Sequence, residues 1–541
     1  MPFFSFPKLP QNETIPAMTK AFPSRLKSLL AVGLLFHLSC LSESGIAQDA
    51  PIPTIQAPLK GNILFLGDSI THAGHYVSMI EATLLGEGLD PDSFELINLG
   101  LPSEGVTGLS EPAHPFPRPN VHERLDRALE KVNPDLVFAC YGMNDGIYHP
   151  FSEERFAAYQ AGINTLIDKV KASGAPLILM TPPPFDPEPL RAKGQLRPAD
   201  AAKFGWVEIY ENYDGEVIAP YSAWLLAQKD RVLGVIDMRT PLLAYMQEKR
   251  KSDPAFTLSP DGVHLNEEGH RVLAKAILEA LGKDPDSIDT MDTIDPKVLA
   301  KVHSRQITLH DAWLTHVGHR RPQTKAGLPL GIARLVVALP PSEVPRILFN
   351  GVDLAGWQGD TAFWSVADGT ITGRNTGPVP SSTYLFTEKP HRNFRLLFEV
   401  KQTVSPAHST MHSAIAALGE RFEDTGANAF GFRGPLLMFA HDWGIWDAYR
   451  RNRIEPQGQK GTMKIASEKV GDWNRIEILV IDNRIRFVNN GELVFDFTDD
   501  ATMLQPSPIG LQLHKNDKAQ EFQFRGLVLT ESPQDTLVTL P

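Results

Sequence analysis

Residues 61–70 read Gly-Asn-Ile-Leu-Phe-Leu-Gly-Asp-Ser-Ile. A short apolar run closed by glycine is the pattern of a buried parallel strand, and it leaves Asp68 and Ser69 at the strand's C-terminal end. Runs of the same kind recur at Phe94–Leu99, Leu136–Tyr141, Leu177–Thr181 and Val232–Asp237. Helical patterns lie between them. In 152–171, Ser152 can cap a helix whose first turn holds Glu153 and Glu154, while Phe156, Tyr159, Ile163, Leu166, Ile167 and Val170 recur on one face. Strands alternating with amphipathic helices predict an α/β/α sandwich around a parallel sheet, with functional groups gathered at the strand C-termini.

Composition sets the outer bounds. The 541 residues are 42% hydrophobic and 21% charged, with 28 Phe and 8 Trp. Such a chain can bury enough surface to offset its ordering entropy, so disorder is excluded and two or three domains are expected. Two cysteines, Cys40 and Cys140, exclude a disulfide scaffold. A formal charge of −12 argues against a general nucleic-acid binder, which needs a basic face.

The N-terminus reads as a leader. Lys20, Arg25 and Lys27 precede the apolar run Ser28–Leu41, and Gly45-Ile46-Ala47 offers small residues at a cleavage site. The run is short of the ~20 residues a membrane-crossing helix needs, so a secretory signal over 1–47 and a secreted or periplasmic protein are expected. Met18 is an alternative start to Met1. Leu38-Ser39-Cys40 also has the outline of a lipoprotein box, although His37 stands where an aliphatic residue belongs. Removal of 1–47 would leave a mature chain of charge −14 with no stable membrane span.

Polar residues concentrate in Gly67-Asp-Ser-Ile70, Asn98-Leu-Gly-Leu-Pro-Ser-Glu104, Tyr141-Gly-Met-Asn-Asp145 and Asp261-Gly-Val-His264. In these four ordered blocks, over roughly 60–283, the chain resembles the SGNH (GDSL-type) hydrolase family. The resemblance implies a Ser69, Asp261, His264 catalytic set, with the oxyanion held by the backbone N–H of Ser69, an N–H of the second block and the Asn144 side-chain amide. The chemistry is consistent with the residue types. A serine hydroxyl needs a base within hydrogen-bond reach, and a carboxylate three residues before the histidine can fix the imidazole from the same turn. No Gly-x-Ser-x-Gly elbow surrounds Ser69. The second block departs from the family's Gly-Ile-x-Gly-Asp, because Gly100-Leu-Pro-Ser103-Glu104 puts Ser103 where the oxyanion glycine stands. Ser103 is the expected donor, with Gly100 and Gly105 as alternatives. No metal or organic cofactor is required.

Other residues invite plainer readings. Cys140 is expected to be a small core residue, and His72, Asp145 and His149 either shape the pocket or are solvated. Thr181-Pro-Pro-Pro-Phe-Asp-Pro-Glu-Pro189 cannot extend a helix or central strand and predicts a loop to about Pro198, able to wall the cleft.

Beyond a helical extension and linker over 284–345, which includes a helix from Pro296 to Leu314, the periodicity changes. Phe394–Val400, Trp473–Ile481, Arg484–Asn489, Leu493–Phe497 and Phe522–Leu529 are short β-type segments, and Asn490-Gly491 is a strong hairpin signal. An all-β sandwich is expected. Leu348-Phe-Asn-Gly-Val-Asp-Leu-Ala-Gly-Trp357, Phe363-Trp-Ser-Val-Ala-Asp-Gly-Thr-Ile-Thr-Gly373, Gly471-Asp-Trp-Asn474 and Asn489-Asn-Gly-Glu492 are similar to the 3-keto-disaccharide hydrolase domain family over about 346–532. That resemblance implies a concanavalin-like jelly roll with a sugar-facing concave sheet. The family's polar Tyr-Glu-Val-Gln-Ile-x-Asp segment aligns with Leu436–Asp442, where Leu437 and Phe439 replace the polar pair and favour binding over turnover. Asp442, Trp443, Trp446, Asp447 and Arg450, with Arg451 beside them, are the candidate glycan contacts.

The expected organisation is therefore signal peptide 1–47, linker 48–59, hydrolase domain 60–283, extension and linker 284–345, β-sandwich 346–532 and tail 533–541. The expected function is a secreted serine esterase acting on O-acyl groups of a carbohydrate or another ester, with a glycan-holding β-domain. Alternatives are 3-keto-glycoside cleavage by the C-terminal domain and a non-catalytic glycan-binding surface protein.

Overall fold

The computed structural model describes residues 54–191, 193–290, 296–404, 413–424, 428–439, 444–447, 450–455, 466–500 and 504–540. The expected signal peptide, with Cys40, lies outside them, as do Asp442 and Trp443. Among the described residues no helix is long and apolar enough to cross a membrane.

Five parallel strands form the first sheet: β1 (Gly61–Gly67), β2 (Phe94–Asn98), β3 (Leu136–Cys140), β4 (Leu177–Met180) and β5 (Gly234–Ile236). Their order is β2-β1-β3-β4-β5. Alternation along β1 explains the unbroken apolar run. Leu64 and Leu66 enter one apolar layer with Ile163 and Leu166, while Ile63 and Phe65 enter the other with Ile80 and Leu273. Phe65 stacks on Phe138 of β3 at 4.7 Å between ring centroids. The chain leaves β1 to opposite sides for β2 and β3, so the crevice at their C-terminal ends is where a ligand site is expected.

Helices cover both faces. Directly after β1 come α1 (Ser69–Ala73) and α2 (His75–Gly86), then α3 (Glu153–Ser173) and α4 (Glu267–Ala280). The Ser152 hydroxyl caps α3 by accepting from Arg155 N–H, and Asn266 caps α4 by accepting from Gly269 N–H. Within the stretch read as linker, Ile55 donates its N–H to Ala280 O at 2.7 Å, and Ile55, Ala57 and Leu59 pack against the core.

The extension contributes α5 (Pro296–Val317) and α6 (Leu330–Val337). On α5, Gln306 Nε2 donates to Leu96 O and Trp313 Nε1 to Glu95, both on β2. On α6, Ile332 and Leu335 pack with Leu397 and Val528 of the following domain.

That domain is a sandwich of two antiparallel sheets. Among the described residues, one runs in the order Trp364–Ala367, Thr370–Asn375, Gln520–Glu531, Phe394–Val404, Asn474–Ile481, Arg484–Asn489, Glu492–Thr498. The other includes Thr383–Thr387, Gly510–Leu513, Ala414–Ala416, Leu436–Met438 and Ile445–Asp447. Between Arg484–Asn489 and Glu492–Thr498, Asn490 and Gly491 adopt φ 47° and 85°, the left-handed pair that a two-residue hairpin demands.

Candidate active site

The strand ends carry the site. Asp68 closes the turn after β1: its Oδ1 accepts from Ile70 N–H at 2.9 Å and so caps α1, which presents Ser69 at its first position. His264 arrives from the loop before α4. Its Nε2 lies 2.8 Å from Ser69 Oγ, and its Nδ1 lies 2.7 Å from Asp261 Oδ2. The other carboxylate oxygen of Asp261 accepts the backbone N–H groups of Val263 and His264. One turn thus orients both residues. It requires Gly262, at φ 82°, where a Cβ would lie 2.8 Å from Asp186 O and from the Phe185 ring. The 181–190 segment presses on the back of this turn, with Asp186 N–H donating to Gly262 O. Asp186 is held in turn by Arg250 and Thr257.

The electrostatics suit proton transfer. Partial burial raises the Asp261 pKa, but the hydrogen bond and charge of His264 and the two backbone donors outweigh it and bring the carboxyl to about 2. Burial lowers the pKa of His264, yet the Asp261 hydrogen bond and charge, with the charge of Asp68, prevail and leave the imidazole above 6.5. Asp68, buried, is pushed up to about 6. With Asp261 accepting from Nδ1–H, the free lone pair on Nε2 faces the serine hydroxyl.

Asn144 follows β3 and is 4% exposed. Its Nδ2 donates to Glu104 O at 3.0 Å and faces Asp68 Oδ2 at 3.4 Å, which ties the first three blocks together. In the second block, Gly100 N–H is bonded to Asn98 Oδ1 and Gly105 N–H to Pro119 O, so neither is available to an oxyanion. Ser103 occupies the third position of a turn closed by Glu104 N–H donating to Leu101 O, and its φ is 67°. This is the type II pattern, with Pro102 at the second position and a left-handed third residue that glycine normally supplies. A serine there carries strain. Ser103→Gly is therefore expected to raise stability by about 1 kcal/mol in a denaturant titration while leaving hydrolysis within about threefold.

Buried charge supports these loops, and nothing in the sequence pattern singled it out. Glu104 is paired with Arg124 and accepts from Tyr141. Glu111 is paired with Arg118, whose Nη1 donates to Asn144 Oδ1. The carbonyls of Gly100 and Pro102 are bonded by His310 and Arg321 of the extension. Of the residues given two readings, Asp145 is 1% exposed and holds the Val106 and Thr107 N–H groups, so it is structural. His72 packs edge-on against His310 at 4.6 Å. Cys140 sits in the core with Sγ near Thr181 O, and burial raises its thiol pKa well above the usual value.

Of the C-terminal candidates, Trp446, Asp447 and Arg450 are among the described residues. Asp447 is fully buried: its Oδ1 accepts from Arg450 N–H, and its Oδ2 lies 3.6 Å from Nε of Arg451, which is itself paired with Asp499. Trp446, paired opposite Leu436, is partly buried against the apolar cluster that includes Leu436 and Met438. Arg450 reaches Arg433 O. One expectation needs correction. Leu437 and Phe439 face the sandwich core, at 0% and 1% exposed, so by strand alternation they cannot stand for a polar pair on the concave face. On the opposite face of that sheet, Tyr384, Phe386, Ala414, Ala416, Leu436 and Met438 are buried with Phe432 of the Asn428–Arg433 strand, and Gln512, whose Nε2 donates to the Tyr384 hydroxyl, lies beside them.

Residues 65–272 match the GDSL-like Lipase/Acylhydrolase family, and 345–530 match the 3-keto-alpha-glucoside-1,2-lyase-like domain. The chain carries a GDSL-like acylhydrolase domain followed by a 3-keto-disaccharide hydrolase domain. The first of these two domains is thus of an ester-hydrolysing type. No curated protein matches significantly. Among solved structures, the chain is similar to a gut microbial diltiazem-metabolizing enzyme (20% identity, TM-score 0.33, covering 42% of this chain and 49% of that one). It thus spans about half of that protein. It is also similar to the acetyl xylan esterase AlAXEase (23%, TM-score 0.31, covering 41% and 99%). An acetylxylan esterase from Geobacillus stearothermophilus follows (21%, TM-score 0.28, covering 44% and 98%).

Proposed function

We propose that the GDSL-like domain removes O-acyl groups from a carbohydrate through an acyl-enzyme at Ser69, in an exported protein whose β-sandwich holds the glycan. The observation that carries the reaction is His264 bridging Ser69 Oγ and Asp261 at 2.8 and 2.7 Å. His264 Nε2 takes the hydroxyl proton as Oγ attacks the ester carbonyl. The charge on the carbonyl oxygen is met by the N–H groups of Ser69 and Ser103 and by Asn144 Nδ2. His264 returns the proton to the leaving sugar oxygen, and a water, deprotonated in the same way, releases the acid. Support for a carbohydrate substrate comes from domain company: a 3-keto-glycoside-type domain shares the chain. A panel of acetylated polysaccharides, assayed for released acetate with wild type and Ser69→Ala, tests it. Release from simple aryl acetates but from no glycan would sink the carbohydrate assignment.

The pH profile gives a second test. The reaction needs neutral His264, so kcat/KM falls as pH drops through its pKa, and the acid-limb midpoint is expected above 6.5. Asp261→Asn removes the interactions that hold this value up, and the midpoint should move down. A wild-type limb centred below pH 6 would contradict the assignment of His264 as base.

A second reading rests on the match of 345–530: cleavage of 3-keto-glycosides by the β-sandwich. Incubating full-length Ser69→Ala with a 3-keto-disaccharide distinguishes the two, because such cleavage does not need Ser69.

A further inference from the structure

One buried ion pair touches the reaction machinery without belonging to it. Arg118 and Glu111 are 6% and 2% exposed. Arg118 spends Nε and Nη2 on the two oxygens of Glu111, at 2.7 and 2.6 Å, and its Nη1 donates to Asn144 Oδ1 at 2.9 Å. The Tyr148 hydroxyl donates to the same Oδ1 at 3.0 Å, and the guanidinium lies 5.3 Å from the Tyr148 ring centroid. The turn that delivers Tyr148 is strained. Ile147 and Tyr148, both bulky, take φ of 48° and 61°, a conformation that such residues adopt only where the surroundings enforce it.

We propose that Arg118, assisted by Tyr148, is a positioning residue that fixes and polarises the Asn144 amide as an oxyanion donor. This rests on the serine-esterase reading above. An amide can sit in either of two flips. A flipped Asn144 would aim its oxygen at Glu104 O and Asp68 and its NH₂ at two donors, so Arg118 and Tyr148 leave one orientation. Of the two Nδ2 hydrogens, one is engaged by Glu104 O at 3.0 Å, and the other faces Asp68 Oδ2 across a long 3.4 Å. That second hydrogen is the one an oxyanion would take. A charged donor on the carbonyl end strengthens it, because hydrogen bonds in a chain polarise one another at low dielectric. The rigid three-nitrogen fork matters: lysine cannot serve both Glu111 oxygens and Asn144 together.

The test is a cycle on the full chain with 4-nitrophenyl acetate: wild type, Ser69→Ala, Arg118→Lys, Tyr148→Phe, Asn144→Ala and Arg118→Lys/Asn144→Ala. Arg118→Lys is expected to lower kcat by about 10–100-fold with KM within about threefold, and Tyr148→Phe by a smaller factor in kcat alone. In the Asn144→Ala background, Arg118→Lys should change kcat by less than about twofold, because its target is gone. Should Arg118→Lys not fold, Tyr148→Phe with and without Asn144→Ala runs the same cycle. Equal losses in both backgrounds, a change confined to KM, or unchanged kcat in the folded variants would overturn the proposal. Ser69→Ala matching wild type would instead overturn the serine reading beneath it.

Discussion

Ser69→Ala is expected to lower kcat/KM for 4-nitrophenyl acetate by about 10⁴-fold or more, with the circular dichroism spectrum unchanged. Among the described residues, the hydroxyl is the group at the end of β1 to which His264 Nε2 is bonded, at 2.8 Å, and alanine leaves the base with nothing to deprotonate but water. The substitution is structurally mild. Asp68, not Ser69, caps α1, and among the described residues the Ser69 side chain is hydrogen-bonded to His264 alone. What survives is the oxyanion donors and the binding surface, which together give the residual rate seen when a catalytic group is removed. Asn144→Ala deletes one of those donors instead and should cost about 10²–10³-fold in kcat. A Ser69→Ala rate within tenfold of wild type would remove the acyl-enzyme from the mechanism.

Arg124→Met should have the largest effect on stability. Glu104 and Arg124 are each 1% exposed, joined through two nitrogens at 2.7 Å, and Arg124 also donates to Leu99 O at 2.6 Å. Removing the cation leaves a buried carboxylate with, among the described residues, only the Tyr141 hydroxyl as side-chain partner. Breaking a buried pair from one side costs about 3–5 kcal/mol, which in a domain of this size lowers Tm by roughly 10 °C. The esterase rate should fall as well, since Glu104 follows the strained Ser103 and its carbonyl holds Asn144. Arg124→Met/Glu104→Gln should recover part of the stability, because no charge is then left unpaired. A loss under about 1 kcal/mol in the single variant would show that Glu104 finds another partner or takes up a proton.

The contrast between these two substitutions marks the limit of what a sequence discloses here. The strands β1–β5, the Asn490-Gly491 hairpin and the pairing of Asp261 with His264 are legible because each depends on local signals: apolar runs, turn residues and a three-residue spacing on one loop; that Ser69 joins them is what the family resemblance implies. Glu104, Glu111, Arg118 and Arg124 are not legible in this way. Hydropathy assigns all four to solvent, and only the folded loop brings opposite charges into the same interior. Ser103 is an intermediate case. Its position in the second block is readable, but that it bears the conformation usually left to glycine is a property of the turn. In the β-sandwich, a strand's side-chain parity is set by its neighbours, which is why Leu437 and Phe439 fall on the core side.

The extension alters what should count as the esterase. Helix α5 lies on β2, and the carbonyls of Gly100, just before the turn that presents Ser103, and of Pro102, within it, are bonded by His310 and Arg321. The motif blocks end at His264, yet a fragment cut after residue 283 would leave that turn unbraced and strip the cover from β2. The transferable cassette is therefore longer than its signature. A recombination event or a cloning primer placed at the end of the motifs would move the nucleophile without the scaffold that aims the oxyanion loop, whereas one placed beyond Arg321 would carry both.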